Sequence, residues 1–534
     1  MIYLDKNHDP RKNAKLISQL SAENPDIREA VAWTEKLFRE NSANPGSYSF
    51  ETAQKRPFSS ILKQFFTTMP VFFFAKKATP ALVDSETVVD EDGLVYPSWK
   101  GILDEEYRHL KAIAKREVNV EDYGAVGDGV TDNTEAFEKA IGNGRVTVRI
   151  PNGVFVTSEI RLPSWTCLVG EGKGRTVLRL QDEAPKSSQL VTNSSHWKGN
   201  RNILVSGMTL DWNVERLGKA EKTAAGNNSS SCLLYANVTF GWVADVEAIN
   251  PGLHCFDVSS TIYNYSGDGY RAKGGSNYIW LDGLNGYGFG DDGVTTHHSD
   301  NILISNCHMC DPSGRAHKKG FSNSNGFEAD DGSRNVWLVN NSSACCFGGV
   351  EIKAHGNSSA ASNVHIIGHL SINDNRSFNW RHIGHHKSTD PISKTAFNIK
   401  ATNLISVAPI HTTLYEGSKP RALVVSAYRN VAINHFTAIG DPNYDYRGEP
   451  VMAVQYRSRN IALDNVSISG FRTAGTDIKL FGGDNCTDSV AIGKLTVRNS
   501  AREAIKIGVG IQKASVGTVL AKSSDKNEVN KNLV

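Results

Sequence analysis

A chain of 534 residues, 39% of them apolar, can bury an extensive core and holds either two units or one elongated repeat with an extension. Lys plus Arg (58) nearly balance Asp plus Glu (56), which excludes a global field for nucleic acid or membrane and makes any charge-dependent function local. MIYLDKNHDPRKN lacks a signal-peptide layout and FFTTMPVFFFA (65–75) is too short to span a bilayer, so no membrane insertion and a virion-associated or cytoplasmic location are expected.

Residues 1–115 differ from the rest. NAKLISQLSAENPDIREAVAWTEKLFREN carries helical spacing of Leu, Ile, Val and Phe, which predicts a mainly helical attachment or oligomerisation region. The aromatic run within it fits the core of a small helical domain better than a partner surface. In VNVEDYGAVGDGVTDNTEAFEKAI (118–141), glycines supply turns and Asp132 or Asn133 can cap a helix near 133–142. Its apolar face would plug the open end of a solenoid.

After residue 200 one shape recurs: a polar turn ending in Asn, then alternating apolar residues, as in DNILISNCHM, SRNVWLVNN and SNVHIIGHL. The asparagines are 277, 301, 335, 363, 403, 430 and 460, at intervals from 24 (277 to 301) to 40 (363 to 403). Stacked turns would align them as an amide ladder. The fold predicted over 116–520 is all-β, a single-stranded parallel β-helix, followed by a polar tail at 521–534. Eight scattered cysteines read as free core thiols, and Cys307-His308-Met309-Cys310 lacks a second pair, so no metal is expected there.

Four segments align on a glycine: DGYRAK (268–273), DGVTTH (292–297), NGFEAD (325–330) and GGVEIK (348–353). Alternation buries Phe327, Ala329, Val350 and Ile352 and turns two columns outward. These are Arg271, Thr295, Glu328, Glu351 and Lys273, His297, Asp330, Lys353, with Asp268, Asp292, Asn325 and Gly348 forming a third. Rungs sit about 4.8 Å apart and alternate residues about 7 Å. Carboxylates and cations therefore share one exposed face, as acid–base chemistry requires. RHIGHHK (381–387) reads as a solvated loop or a substrate contact. Trp197, Trp212, Trp280 and Trp380 could stack on sugars, with core packing the better reading for Trp280.

Asp122-Tyr123-Gly124-Ala125, Gly127-Asp128-Gly129, Thr131 to Thr134 and Ala136-Phe137 resemble the opening of pectin-lyase-like right-handed β-helices. Gly267-Asp268-Gly269, Gly290-Asp291-Asp292-Gly293 and Ile352-Lys353 resemble the N-T-D-G, G-D-D and R-I-K signatures of the polygalacturonase branch. Ser266-Gly267 and Glu351 stand in place of the Asn-Thr and Arg of those signatures. The resemblance implies a polysaccharide depolymerase of the kind carried by phage tailspikes, with Asp268, Asp291, Asp292 and Lys353 as counterparts. A homotrimer is implied by the same analogy.

The expected function is hydrolysis of an acidic capsular or exopolysaccharide-type glycan without a cofactor. Asp292 and Asp330 are the first acid–base pair, then Glu328, Asp291 and His297. Arg271, Lys273, Asp268, Glu351, Lys353, His355 and His298 would bind substrate. One alternative is a lyase using Lys353, His297 or Lys273 as base, with Ca²⁺ held by the acids. A second is a virion appendage that binds glycan without cleaving it.

Overall fold

A computed structural model describes residues 2–43, 85–263, 267–268 and 274–522. From Arg116 onward the chain coils as a parallel β-helix. Each turn contributes one strand to a 12-stranded parallel sheet running from Ile160–Leu162 to Glu503–Ile507. The remainder of each turn is a long strand, such as Arg334–Ala344, Ser362–Ile372, Phe397–Val407 or Arg429–Ile439.

Each of those long strands has one left-handed position at its start and a second midway, and the midway bend lets it line two faces of the coil. The bends fall at Asn340, Gly368, Asn403 and His435, all at φ between 52° and 74°. Their flanking residues pair rung to rung, so the bends form a vertical line. Left-handed backbone is costly for most L-residues, and Asn, Gly and His are among those that tolerate it best.

A second left-handed column carries the amide ladder. Asn335 donates to Asn301 (3.0 Å), Asn363 to Asn335 (2.8 Å), Asn398 to Asn363 (3.2 Å), Asn430 to Asn398 (3.1 Å) and Asn460 to Asn430 (3.2 Å). The sequence-based ladder is corrected at two points. Asn398 takes the place assigned to Asn403, because the Phe397–Val407 strand carries both bends and Asn403 occupies the other one. Asn277 accepts from Asn301 at 2.9 Å, but the left-handed position of its turn is held by Tyr278.

The helix Thr134–Ile141 closes the N-terminal end, burying Ala136, Phe137, Ala140 and Ile141. The Asp132 side chain accepts from the Thr134 N–H at 3.0 Å. Helices Asn13–Leu20, Ile27–Asn41 and Lys100–Ile113 lie against the long strands. Ile17 packs with Leu370, Ile372 and Ile405, while Leu103 and Leu110 pack with Leu204, Trp242 and Trp337. Asn13 donates to the carbonyls of Cys307 and Asn340 at 3.0 Å each. These helices cover the long-strand faces and not the outward face of the 12-stranded sheet, but the polar side chains there, Glu328, Asp330, Glu351 and Lys353 among them, are buried and not exposed as the alternation predicts. The aromatic run 65–75 and the tail 523–534 lie outside the described residues.

All eight cysteines are free thiols. Trp212 and Trp380 are fully buried and Trp280 is partly buried, bonded to Ser305, while Trp197 is exposed. No described helix is long and apolar enough to cross a membrane.

Candidate functional site

Five consecutive strands of the 12-stranded sheet build the site: Phe256–Ser259, Val294–Thr296, Asn325–Ala329, Gly348–Ala354 and Arg376–His382. Register stacks Asp257, Thr295, Glu328, Glu351 and Asn379 in one outward column. Lys353 and Arg381 are paired in the next column. The glycine alignment thus holds for three of its four segments. The rung paired with Val294–Thr296 is Phe256–Ser259 rather than DGYRAK. Arg271 and Lys273 lie outside the described residues. Asp268 does not line the cleft: it accepts from the Ser359 N–H at 2.9 Å and so ties down the loop after Ala354.

The resulting cleft has a volume of about 420 Å³. Two loops wall one side, carrying His317 and Asn323 on one and Tyr415 on the other. Phe321 and Tyr415 join these loops through a backbone bridge and an edge-on ring contact.

At one end, His254 Nε2 lies 3.7 Å from Asp291 Oδ2 and 3.6 Å from Asp292 Oδ2, and His317 Nε2 lies 2.9 Å from Asp291 Oδ1. Asp292 Oδ1 accepts from the backbone and side chain of Asn325, both at 3.0 Å. Burial, then the charges of Asp291 and Glu328, push Asp292 well above the usual carboxyl range. Burial acts the same way on Asp291, but His317 and His254 overcome it and hold that carboxyl well below the range.

At the other end, Lys353 Nζ sits 2.6 Å from Glu328 Oε1 and 3.7 Å from Asp330 Oδ2. Glu328 also accepts from Thr295 Oγ1 (3.0 Å) and Asn325 Nδ2 (2.9 Å). Burial opposes its ionisation, yet Lys353 keeps it below the ordinary glutamate value. Burial and the neighbouring Asp331 raise Asp330 to about 7, against the pull of Lys353. The buried Asp330 Oδ1 has no hydrogen-bond partner. Asp331 is tied to Tyr263 (3.0 Å) and His355 (3.1 Å) and, despite burial, is held below the usual range by His355.

Asp257 joins the two ends. Fully buried, it reaches His254 Nδ1 at 3.2 Å and His297 Nδ1 at 3.4 Å. Tyr263 stacks on His297 with ring centroids 3.9 Å apart, and His297 Nε2 faces Asp330 Oδ2 at 3.8 Å.

Asp291, Asp292, His297, Glu328, Asp330, Lys353 and His355 all line the cleft. Glu351 is buried beneath it, bonded to Arg381 and to Asn379 (3.0 Å). His298 turns away, its N–H donating to the Asp331 carbonyl at 2.6 Å. In RHIGHHK only Arg381 and Ile383 line the cleft. His382 bonds to Ser393 (2.7 Å), His385 to the Pro391 carbonyl (2.7 Å), and His386 stacks on Tyr456.

Sequence reasoning missed His254, Asp257, Tyr263 and His317, and named Arg381 only within RHIGHHK. The apolar alternation of Phe256 and Val258 in HCFDVSS was the available signal for the first two. Three groups bring His and carboxylate donors within coordination reach: His254–Asp291–Asp292, His297–Glu328–Asp330 and Asp330–Asp331–His355. The second already holds the Lys353 ammonium, and the third is committed to the His355–Asp331 bond.

Residues 117–351 match the family described as rhamnogalacturonase A/epimerase, pectate lyase-like. The chain is 48% identical over 471 residues to a putative phage-related protein, YobO, of Bacillus subtilis (strain 168), covering 88% of this chain and 58% of that one. It is 44% identical over 409 residues to the pre-neck appendage protein of Bacillus phage phi29, covering 75% and 46%. The crystal structure of the phage phi29 gene product 12 N-terminal fragment matches with a TM-score of 0.70 at 40% identity, covering 79% of this chain and 69% of the fragment. The chain spans about half the length of the curated relatives it matches.

Proposed function

The chain belongs to the pectin-lyase-like superfamily of right-handed parallel β-helices, and from that premise we propose that it is a virion appendage depolymerase hydrolysing an acidic glycan in this cleft. One arrangement carries the reading: at each end of one groove two buried carboxyls sit together, and a histidine or the Lys353 ammonium contacts one of them more closely than the other. Asp292 is raised beside a lowered Asp291, and Asp330 is raised beside a lowered Glu328. A hydrolase needs one carboxyl that keeps its proton and another that has lost it. The virion location rests on the names of the phage relatives.

In this reading Asp330 is the acid. It gives its proton to the bridging oxygen as the bond from that oxygen to the anomeric carbon breaks. A water held on the His254–Asp291–Asp292 side attacks the same carbon and passes its proton to that side. Lys353 and Arg381 place positive charge along the groove for the anionic groups of the polymer. Lys353 suits this better than base chemistry, because Asp330 and Glu328 overcome burial and hold its proton well above the ordinary lysine range. That weighs against β-elimination through Lys353.

The test is turnover on a panel of acidic bacterial polysaccharides, following reducing ends and the ultraviolet absorbance of unsaturated uronates. Hydrolysis gives reducing ends alone, and Asp330→Asn should lower the rate by about 10²–10⁴-fold with binding retained. Unsaturated products would establish the lyase reading. Glycan binding without either signal would establish the appendage that only adheres.

A further inference from the structure

We infer that His254, His317, Asp291 and Asp292 form a binding site for one divalent transition-series cation on the His317 side of the cleft. The site adds a bound ion to a reaction otherwise described with side chains alone. The role given to the ion, presenting the attacking water, rests on the hydrolytic reading above; the binding itself does not.

Spacing is the first argument. Four donors about 2.0–2.1 Å from a tetrahedral ion lie about 3.4 Å from one another. His254 Nε2 lies 3.6 Å from Asp292 Oδ2 and 3.7 Å from Asp291 Oδ2, close to that spacing, while His317 Nε2 lies 2.9 Å from the other Asp291 oxygen, Oδ1. His254, Asp291 and Asp292 lie within 4.8 Å of one another as a set, and His317 adjoins that set through Asp291 Oδ1.

Unsatisfied buried atoms are the second. His317 Nε2 and Asp291 Oδ1 are buried and 2.9 Å apart, and neither atom has a hydrogen-bond partner. A shared cation would satisfy both. Asp291 as a whole is 8% exposed, so water compensates these atoms little.

The surroundings are the third. Asp257 engages His254 through Nδ1 at 3.2 Å, which leaves Nε2 facing the carboxylates. A carboxylate behind a ligating imidazole fixes its tautomer and orientation in the same way at metal centres. Among the described residues, no lysine or arginine forms an ion pair with Asp291 or Asp292. Lys353 pairs instead with Glu328 and Asp330. Two imidazoles and two carboxylates suit zinc or manganese, whereas Ca²⁺ takes six to eight oxygens.

The experiment strips the full chain with a chelator and titrates it with Zn²⁺ and with Mn²⁺ by calorimetry, with Co²⁺ absorption to report geometry. One ion per chain is expected. His254→Ala and Asp291→Asn should each weaken binding by at least about 100-fold. A His385→Ala/His386→Ala variant should bind as the parent does, and equal melting of the ion-free forms shows that the variants fold. Absence of binding, or binding that survives His254→Ala and Asp291→Asn, overturns the site, as does loss in the His385/His386 variant. Reducing-end release is read on the same samples. Turnover by a chain that binds no ion overturns the site and leaves hydrolysis standing. One ion lost with His254→Ala, in a chain that cleaves no glycan, supports the site and removes hydrolysis.

Discussion

Lys353 Nζ lies 2.6 Å from Glu328 Oε1, and both side chains are almost completely buried. Each charge is viable there only because of the other. Lys353→Met would leave the Glu328 carboxylate without its cation, a change that costs about 3–5 kcal/mol when a buried pair loses one partner. A fall in the urea midpoint is expected for Lys353→Met, and Lys353→Met with Glu328→Gln should recover most of it. Equal losses in the single and double variants would mean the contact contributes little to folding.

Asp330 sets a pH limit on both rate and stability. Its carboxyl is raised to about 7 in the folded chain, against about 3.9 unfolded. Between those values the folded state binds the extra proton, so this group's contribution to stability falls as pH rises from about 4 to 7. Below that window the group costs nothing. Asp330→Asn removes the burden, and the variant should be more stable than the parent at pH 8 and similar at pH 4, by denaturant midpoint. The rate of glycan cleavage by the parent should fall on the alkaline side of about pH 7, where the acid has lost its proton. A rate flat to pH 9 would rule Asp330 out as the donor.

Asp257 touches no part of the open cleft, yet it aims both His254 and His297. It acts as a positioning residue. Asp257→Asn keeps the shape but loses the charge and one acceptor, so about 10–100-fold weaker ion binding at His254 is expected with melting little changed. Restoration by Asp257→Glu would be partial, since a longer arm displaces the rings. Unchanged ion affinity in Asp257→Asn would show that the imidazoles hold their orientation without it.

The coil was legible in the sequence because its bends need residues that tolerate left-handed backbone, and Asn marks them at Asn301, Asn335, Asn363, Asn430 and Asn460. Three of the five site rungs were legible too, since Val294, Phe327 and Val350 alternate with outward polar residues at a shared glycine, while Arg376–His382 overlaps a segment that reads as a loop. Another was misplaced because DGYRAK has the same pattern as a rung but follows the true strand, Phe256–Ser259. His317 and Tyr415 could not be found by pattern. They sit on loops whose approach to the cleft depends on the Phe321–Tyr415 bridge, a contact between distant turns.

The two left-handed columns should respond differently to mutation. Asn363 (φ 55°) donates to Asn335 and accepts from Asn398, so its amide is used on both sides. Asn363→Ala loses both bonds and forces alanine into a conformation that costs about 1–2 kcal/mol. Asn363→Gly loses the bonds but not the backbone fit, so it should be milder by about 1 kcal/mol. Asn403 (φ 57°) lies in the other column, and its Oδ1 has no hydrogen-bond partner. Asn403→Gly should therefore change stability by less than Asn363→Gly. Melting temperatures of the three variants test this ranking. Equal effects of glycine at 363 and 403 would mean that the amide ladder adds nothing beyond backbone tolerance.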